Sequence, residues 1–560
     1  MNNSINSATF ILKILQTLNI KNFAIAPGSR NAPFSQALDI LRINADVLFD
    51  ERSLGFFGLG TTKGTFNSSC IITTSGTAVG NLFPAVMEAH TTHVPLIIIT
   101  ADRPYELHEV GSNQTCNQHN IFGAYAEFLN IPGFNSQDTE CKNIICNRIL
   151  QHYIKAQHYQ VPLHINVELA APLYGNYDAN IVAYKHSDYS FKNIALSSIP
   201  NKHLQFNNIV ELIKNNPAFK SVFIVGAMNS NETEMLYRFA VANYIPIIAD
   251  VQSNLRKYPG VISAYELDIV GKTGIIKYLK DCESFFIFEG RFISNNLLEI
   301  INESTAKKYF FSKYFENLNA TNSQGVYSII NYFDTFAADC PELSTDNEQI
   351  IHRYTNSICE LLKACNHRNK TEFPKNSEIE MFNEINHAIE KQLFLGNSLV
   401  ARYADTVLVS SHNIFSNRGL SGIDGLIATA CGISKNQPTI AVLGDTSTIY
   451  DLSSIALLKQ NPVKLIIFNN NGGKIFDKFP ICKQQVKEKF FTNKVDINFE
   501  LICKAFNIHY FNPKSKEDFA SLLKTPLSKI TQNVQMGCVI ELKFNEDAGL
   551  KAYTQFLTSK

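Results

Sequence analysis

Asp445 and Asn470 are the two residues whose types and spacing most plainly suggest chemistry. They stand twenty-five positions apart in TIAVLGDTSTIYDLSSIALLKQNPVKLIIFNNNGGKIF, residues 439–476. A carboxylate, an amide oxygen and the carbonyl of a glycine turn are hard oxygen donors, a set that suits Mg²⁺ already carrying phosphate oxygens. Two apolar runs, Ile440–Leu443 and Lys464–Phe468, fit strands buried on both faces, while Leu452, Ile455, Ala456 and Lys459 keep helical spacing between them. The unit therefore predicts a right-handed βαβ crossover with parallel strands. Asp445 and Asn470 emerge past the carboxyl ends of neighbouring strands, where open α/β sheets bind ligands, and the helix start offers backbone N–H groups to a phosphate. Taken singly, GD and NNNGG are also ordinary turns. Their pairing across one βαβ unit favours a diphosphate held through a metal.

Glu51 directly precedes Arg52. It is either half of a surface ion pair, worth little, or a carboxyl facing an apolar cleft and able to share a proton with a ring nitrogen; the sequence leaves both open. Arg30, Arg103, Arg402 and Arg418 occur in PGSR, ADRP, GNSLVAR and SNRG. One arginine in such a turn is ordinarily solvated. Several in one cleft imply a substrate with more than one carboxylate, because each guanidinium fork binds a carboxylate through two parallel hydrogen bonds. His90 and His93 in AHTTHVP have metal-like spacing without an evident third ligand, and they read as helix-end or core residues.

Strand ends must hold these groups. Phe23–Ala26, Val47–Phe49, Cys70–Thr73 and Leu96–Thr100 read as strands that lead into Ser29 and Arg30, Glu51, Thr74–Thr77 and Arg103. Four polar strand ends in one domain are what a ligand crevice needs. SVFIVGAM, IPIIAD, SFFIFEGRF and KKYFFS predict a second α/β unit with a mainly structural role, in which Arg291 is placed to reach a neighbouring site. A helix over Ile379–Leu393 opens the third unit. Periodicity fades over about 176–205, read as a linker, and again over about 336–375. The fold class is α/β, three doubly wound domains with mainly parallel sheets, spanning 1–185, 205–335 and 375–560.

Composition agrees. A chain of 560 residues exceeds one hydrophobic core, and 45% apolar with 18% charged residues describes a globular protein. The 50 basic and 50 acidic residues cancel, which argues against nucleic acid or a membrane surface as partner, so any anion must be held by a few placed arginines. The 12 scattered cysteines lack CxxC spacing and read as reduced thiols. Phe10, Ile11, Ile14, Leu15 and Leu18 form one helix face instead of a signal peptide, and no run approaches the ~20 apolar residues of a membrane span. A cytoplasmic protein is expected.

Glu51 in an N-terminal α/β domain, GD and NNNGG in a C-terminal one and a spacer between them together resemble the thiamine-diphosphate-dependent decarboxylases and synthases. APGSRNAPF, DERSLGFFGLG, TTSGTAVGNLFPAVMEAH, TADRP, VGSNQ, GNSLVAR, SNRGLSGIDG and GDTSTIYDLSSIALL are similar to the 2-succinyl-5-enolpyruvyl-6-hydroxy-3-cyclohexene-1-carboxylate (SEPHCHC) synthases of menaquinone biosynthesis. The resemblance covers both outer domains and is weak over 205–335. It implies thiamine diphosphate with Mg²⁺, or Mn²⁺, as cofactors, the metal being held by Asp445, Asn470 and the Gly472 carbonyl. Gly444, Thr446 and Ser447 would meet the diphosphate, with Asn470, Thr74 and Ile475 also at the cofactor and Ile423 as the apolar wedge that bends it. Glu51, contributed by the partner subunit, would be the catalytic acid at the aminopyrimidine ring. Ser29, Arg30, Arg103, Asn113, Gln114, Ser398, Arg402, Arg418, Ile475 and Phe476 match substrate-binding positions. The implied reaction decarboxylates 2-oxoglutarate and adds the product by 1,4-addition to isochorismate, in a homodimer or homotetramer with active sites at the subunit interface. Two features depart from the pattern: GDT where the wider group has GDG, and GRFISNN where basic residues are expected. The competing readings are an acetolactate synthase-like enzyme acting on small 2-oxo acids, which does not require four arginines, and a silent diphosphate-binding scaffold, which does not need Glu51.

Overall fold

The structure, a computed structural model, describes residues 2–176, 213, 220–312, 325–328, 347–365 and 372–558, apart from 229, 264, 272–273, 410–411, 479–483, 493, 495–496 and 546–547. The linker read at 176–205 lies outside the described residues from 177 onward, as does much of 336–375. Within the latter stretch, Asn347–Ser357 and Cys359–Ala364 are helices that the sequence pattern did not reveal.

The strands form three six-stranded sheets. The first holds β1 (Asn22–Ile25), β2 (Ala45–Val47), β3 (Ser69–Thr73), β4 (Ile97–Asp102), β5 (Glu127–Ile131) and β6 (Leu163–Glu168) in the order β2-β1-β3-β4-β6-β5. The second holds β7 (Ser221–Val225), β8 (Ile247–Ala249), β9 (Val261–Ile262), β10 (Ser284–Phe288), β11 (Lys307–Ser312) and β12 (Gly325–Ser328) in the order β12-β11-β10-β7-β8-β9. The third holds β13 (Gln392–Leu395), β14 (Asn413–Ser416), β15 (Thr439–Gly444), β16 (Val463–Asn469), β17 (His509–Phe511) and β18 (Cys538–Lys543) in the order β14-β13-β15-β16-β18-β17. All these ladders are parallel. The first and third sheets thus share one connectivity, and β15 pairs with β16 as the βαβ reading expected.

Alternation explains why the apolar runs become central strands. Side chains along a strand point to opposite faces, so Ile71 and Ile98 enter one core while Cys70, Ile72, Ile97 and Ile99 enter another. Helices cover both faces of the first and third sheets. The ones that matter for the site are α1 (Asn3–Thr17), α2 (Ala32–Ile40), α3 (Glu51–Thr65), α4 (Phe83–Thr91), α5 (Glu378–Glu384), α6 (Leu399–Val407), α7 (Leu426–Ile433) and α8 (Asp445–Tyr450). The core that contains Ile71 and Ile98 also contains Leu426, Ile427, Ala441, Leu443 and Leu465, so the first and third sheets are joined through α3 and α7. Each fully buried aliphatic chain there contributes about 1.5–3 kcal/mol. The two helices meet at backbone distance: a Cβ on Gly60 would lie 2.0 Å from the Thr429 carbonyl oxygen, and one on Gly432 would lie 2.1 Å from that of Phe57.

Three expectations are corrected. The helix expected over Ile379–Leu393 ends at Glu384, a tight turn covers Ile385–His387, and Gln392–Leu395 is β13, because the short apolar run QLFL fits a buried strand as well as a helix. The strand expected at Val47–Phe49 lies at Ala45–Val47, leaving Phe49 71% exposed. Leu452–Lys459 is a 3₁₀ stretch. The second sheet also carries more ionic chemistry than its turns suggested. The buried Arg256 pairs with Asp405 of α6, whose Oδ1 also accepts from the Val251 N–H (3.1 Å) and whose Oδ2 accepts from the Tyr265 hydroxyl (2.9 Å). Burial raises the Asp405 pKa, and the nearby Asp250 adds to the rise. Arg291 donates to the Thr91 carbonyl at the end of α4, so it does reach the neighbouring unit.

Candidate active site

Gly444 closes β15 and Asp445 opens α8. Asp445 Oδ2 accepts the backbone N–H of Asn470 (3.2 Å) and of Gly472 (2.8 Å), while Oδ1 accepts the Thr446 hydroxyl (3.1 Å). Asn471 (φ 62°) and Gly472 (φ 87°) are both left-handed, and this turns the NNNGG segment back onto Asp445. The Asn470 side-chain Nδ2 donates to Glu378 Oε1 at 3.0 Å. Glu378 is buried, which raises its pKa, and its hydrogen bonds from Tyr403 and Asn470 oppose that rise. Ser447 is buried in the first turn of α8, and the Thr448 hydroxyl closes that turn on the Gly444 carbonyl (2.9 Å). Among the described residues no three His, Cys, Asp or Glu side chains converge as a metal site. The Asp445 carboxylate, the Asn470 amide oxygen and the Gly472 carbonyl are an all-oxygen donor set with one negative charge, and that fits a divalent cation whose other ligands are anionic oxygens.

The segment after β14 carries Arg418 and Ile423. Asn397 Nδ2 donates to the carbonyls of Asn417 (2.9 Å) and Gly422 (2.6 Å), and Arg418 Nη1 donates to Asn397 Oδ1 (3.1 Å). From the first sheet's side, Glu88 on α4 accepts the N–H groups of Gly419 (2.9 Å) and Leu420 (2.8 Å). Lys63 on α3 donates to the Ser416 carbonyl and to Asn417 Oδ1, both at 2.9 Å, and burial brings its pKa down to about 8. Ile423 is half-buried in the segment so fixed. Burial also lowers the pKa of Arg418, with the charge of Arg402 acting in the same direction, and Arg418 Nε is buried without a hydrogen-bond partner. Ser398 precedes α6 with φ 68° and ψ −132°, a strained conformation for a residue with a side chain. Its carbonyl accepts from Arg402 Nη1 (3.2 Å).

At the first sheet's carboxyl edge, Ser29 and Arg30 follow β1, Thr74 follows β3 and Arg103 follows β4. Arg30 Nη1 donates to the Leu169 carbonyl (2.7 Å), leaving a buried Nε without a partner; burial and then the charge of Arg103 lower its pKa. Arg103 is buried and donates to the Ser75 hydroxyl. Gln114 donates to the Ser75 carbonyl (3.0 Å), so the loop containing the exposed Asn113 folds back on this strand end. Thr74 Oγ1 is buried and without a partner. Glu51 is the first residue of α3 and accepts from Asn81 Nδ2 (3.3 Å). Arg52 turns from it to donate to the Tyr450 carbonyl (3.3 Å) over the Tyr450 ring, so the surface ion pair does not form.

Residues 5–121 match the family model described as thiamine pyrophosphate enzyme, N-terminal TPP binding domain, and residues 397–534 match the one described as thiamine pyrophosphate enzyme, C-terminal TPP binding domain. Proteins named 2-succinyl-5-enolpyruvyl-6-hydroxy-3-cyclohexene-1-carboxylate synthase from Psychromonas ingrahamii, Shewanella frigidimarina and Shewanella halifaxensis are each 32% identical to the chain. The matches cover 91% of this chain in each case and 89%, 90% and 91% of the respective relative. The chain belongs to the SEPHCHC synthase family. It is accordingly an enzyme of the thiamine-diphosphate-dependent group.

Within this family member, the residues singled out from sequence fall into two groups on equivalent strand ends. One comprises Ser29, Arg30, Glu51, Thr74 and Arg103, and the other comprises Ser398, Arg418, Asp445 and Asn470. Arg402 and Ile475 line a cavity of about 240 Å³ together with Glu266, Asp405 and Tyr553, whereas Arg418 lines a larger one of about 430 Å³ with Lys63 and Arg291. Neither cavity is lined by Glu51, Asp445 or Asn470. Phe476 faces Phe491, ring centroids 5.1 Å apart. His90 packs edge-on to Tyr125, as a helix-end residue does. Sequence reasoning missed Asn397, Glu88 and Glu378, which hold the arginine-bearing segment and Asn470. Asn397 lies inside the GNSLVAR motif and Glu88 inside TTSGTAVGNLFPAVMEAH, both within reach of a sequence argument, while Glu378 sits in a helix with no distinguishing pattern.

Proposed function

We propose that this chain is a SEPHCHC synthase: it decarboxylates 2-oxoglutarate and adds the resulting four-carbon unit by 1,4-addition to isochorismate, releasing CO₂. The observation that carries the reading is the pair Arg30 and Arg418, each with a buried Nε lacking a partner, at strand ends of the two sheets matched by the cofactor-binding family models. Both side chains are half-buried and bond one protein oxygen through Nη1; a buried guanidinium N–H left without a partner is costly unless an anion meets it, and both substrates carry two carboxylates. Arg103 and Arg402 add further forks, Ser29, Asn113, Gln114 and Ser398 supply polar contacts, and Ile475 and Phe476 close the apolar side.

Asp445, Asn470 and the Gly472 carbonyl would hold Mg²⁺ or Mn²⁺, with Gly444, Thr446 and Ser447 against the diphosphate, Thr74 and Ile475 beside the cofactor and Ile423 beneath it. Bound thiamine diphosphate supplies the electron sink for decarboxylation. Glu51 would hold a proton at the aminopyrimidine ring. In its own chain, the neighbours of Glu51 contact the far end of α8 from Asp445: Arg52 reaches Tyr450 and Asp50 Oδ2 accepts from Ser453 (2.8 Å). A six-residue helix is about 9 Å long, and Glu51 is assigned, as the family resemblance implies, to the aminopyrimidine end of the cofactor in the site of a second copy. The exposed Phe49 (71%) and Tyr450 (51%) beside it suit such an interface. Among the described residues no helix is long and apolar enough to cross a membrane, and the reaction is assigned to the cytoplasm.

Incubation with thiamine diphosphate, Mg²⁺, 2-oxoglutarate and isochorismate, followed by mass analysis, should give SEPHCHC and CO₂. CO₂ released from pyruvate in preference to 2-oxoglutarate would overturn the assignment.

A further inference from the structure

Glu378 is a buried carboxyl, 1% exposed, that the proposed chemistry does not use. It is the first residue of α5, whose Ser377 cap accepts the Glu380 N–H at 3.2 Å. Its Oε2 accepts from the Tyr403 hydroxyl and its Oε1 accepts from Asn470 Nδ2 (3.0 Å). Space for the carboxylate comes from the C-terminal helix: a Cβ on Gly549 would lie 2.2 Å from Oε1. Burying a carboxyl is costly, and a well-packed apolar chain would suit this core better unless the carboxyl performs a task.

The task follows from the chemistry of an amide. Asn470 can present either of two ends to a cation, an acceptor oxygen or a donor NH₂, and only the oxygen binds a metal. Glu378 Oε2 already accepts from Tyr403 and its Oε1 accepts from Asn470, so Glu378 engages Nδ2 and turns Oδ1 to the opposite side. The Asn470 backbone N–H is tied independently to Asp445 Oδ2 (3.2 Å), so the residue is fixed at both its main chain and its side chain. We propose that Glu378 is a positioning residue for the metal site: it fixes the Asn470 amide with Oδ1 toward the divalent cation. The inference rests on the assignment of Asp445, Asn470 and Gly472 as metal ligands.

The test is calorimetric titration of the full chain with Mg²⁺ at saturating thiamine diphosphate, with the electron paramagnetic resonance of bound Mn²⁺ as a second readout. Loss of a group that orients a metal ligand typically weakens metal binding about 10- to 100-fold, and Glu378→Leu should raise the half-saturating Mg²⁺ concentration by that factor. Glu378→Gln keeps an acceptor oxygen for Asn470 and should restore most of the affinity. Gly549→Ala, which crowds Oε1, should give an intermediate loss, and it serves if the leucine variant does not fold. Ile379→Ala on the same helix, a buried apolar side chain that makes no hydrogen bond to Asn470, should lower the melting temperature without changing the Mg²⁺ requirement. Unchanged Mg²⁺ affinity in Glu378→Leu and Gly549→Ala, while Asp445→Ala abolishes binding, would overturn this inference and leave the metal site standing. An equal loss of affinity in Ile379→Ala would reduce Glu378 to a structural role. Mg²⁺-independent cofactor binding by the unaltered chain would overturn the metal site itself, and the inference with it.

Discussion

Asp451 shows how a single buried carboxyl sets a pH dependence. Its Oδ2 accepts the N–H groups of Ile427 (2.8 Å) and Ala428 (3.1 Å) at the start of α7, and its Oδ1 accepts the Ser454 hydroxyl (2.7 Å). Burial nevertheless pushes its pKa up to about 6 from 3.8. Between those values the folded state holds a proton that the unfolded state has lost. Stability therefore falls as pH rises through that window, and the full cost, on the order of 3 kcal/mol, is present above pH 6. Asp451→Asn keeps an oxygen for both N–H groups and does not titrate, so its stability relative to the unaltered protein should rise between pH 4 and pH 7. Urea unfolding measures this, and a difference flat across that range would refute the account. At Glu51 the expectation concerns turnover: Glu51→Gln should bind thiamine diphosphate by calorimetry yet release CO₂ about 10²- to 10⁴-fold more slowly. Glu51, Asp445, Asn470, Arg30, Arg103 and Arg418 stood out in the sequence because each lies in or beside a turn at a strand end, whereas Arg402, expected in such a turn, lies within α6. Glu88 and Glu378 did not stand out, since their partners lie 331 and 92 residues away and only the fold brings them together.

At the scale of elements, the contact of α3 with α7 ties the orientation of Glu51 to the third sheet. Glu51 begins α3, and Gly60 two turns later lies against the α7 backbone. Gly60→Ala or Gly432→Ala forces the two helices apart, and overpacking of this kind costs about 1–3 kcal/mol. Both variants should unfold at lower denaturant concentration, and they should lose turnover while Mg²⁺ and cofactor affinity, assigned in the proposal to α8 and the NNNGG turn, stay near the unaltered value. Gly80→Ala is the control, because a Cβ there meets nothing within 4 Å. Equal loss of stability in all three variants would show that the backbone contact is not the cause. The central strands were readable as short apolar runs bounded by turn residues. β13 was not, because QLFL follows a helical pattern after only a short turn, and a four-residue run satisfies both periodicities. The contact of α3 with α7 was equally hidden, since glycines spaced through DERSLGFFGLGTTKGT read as helix-weakening until the partner backbone is in place.

For the whole molecule, the shared connectivity of the first and third sheets places one set of functional strand ends on each, and Glu51 lies by the far end of α8 from Asp445 in its own chain. Two copies arranged symmetrically would bring the Glu51 of each to the Asp445 of the other, and a closed pair of this kind buries the same patch on both subunits. Mixing two inactive variants decides the matter. On the proposed assignment, a Glu51→Gln chain retains its metal site and an Asp445→Ala chain retains its acid. In a mixed dimer with shared sites, one site combines both defects and the other has none. Random reassortment makes half of the dimers mixed, each with one complete site of two, so an equimolar mixture should recover about a quarter of the unaltered activity. If each chain instead completed its own site, every site in the mixture would carry one defect and activity would stay at the level of the separate variants. Reassortment can be verified independently by native mass spectrometry of differently tagged chains. Full mixing without recovery would therefore place Glu51 and Asp445 in the same subunit.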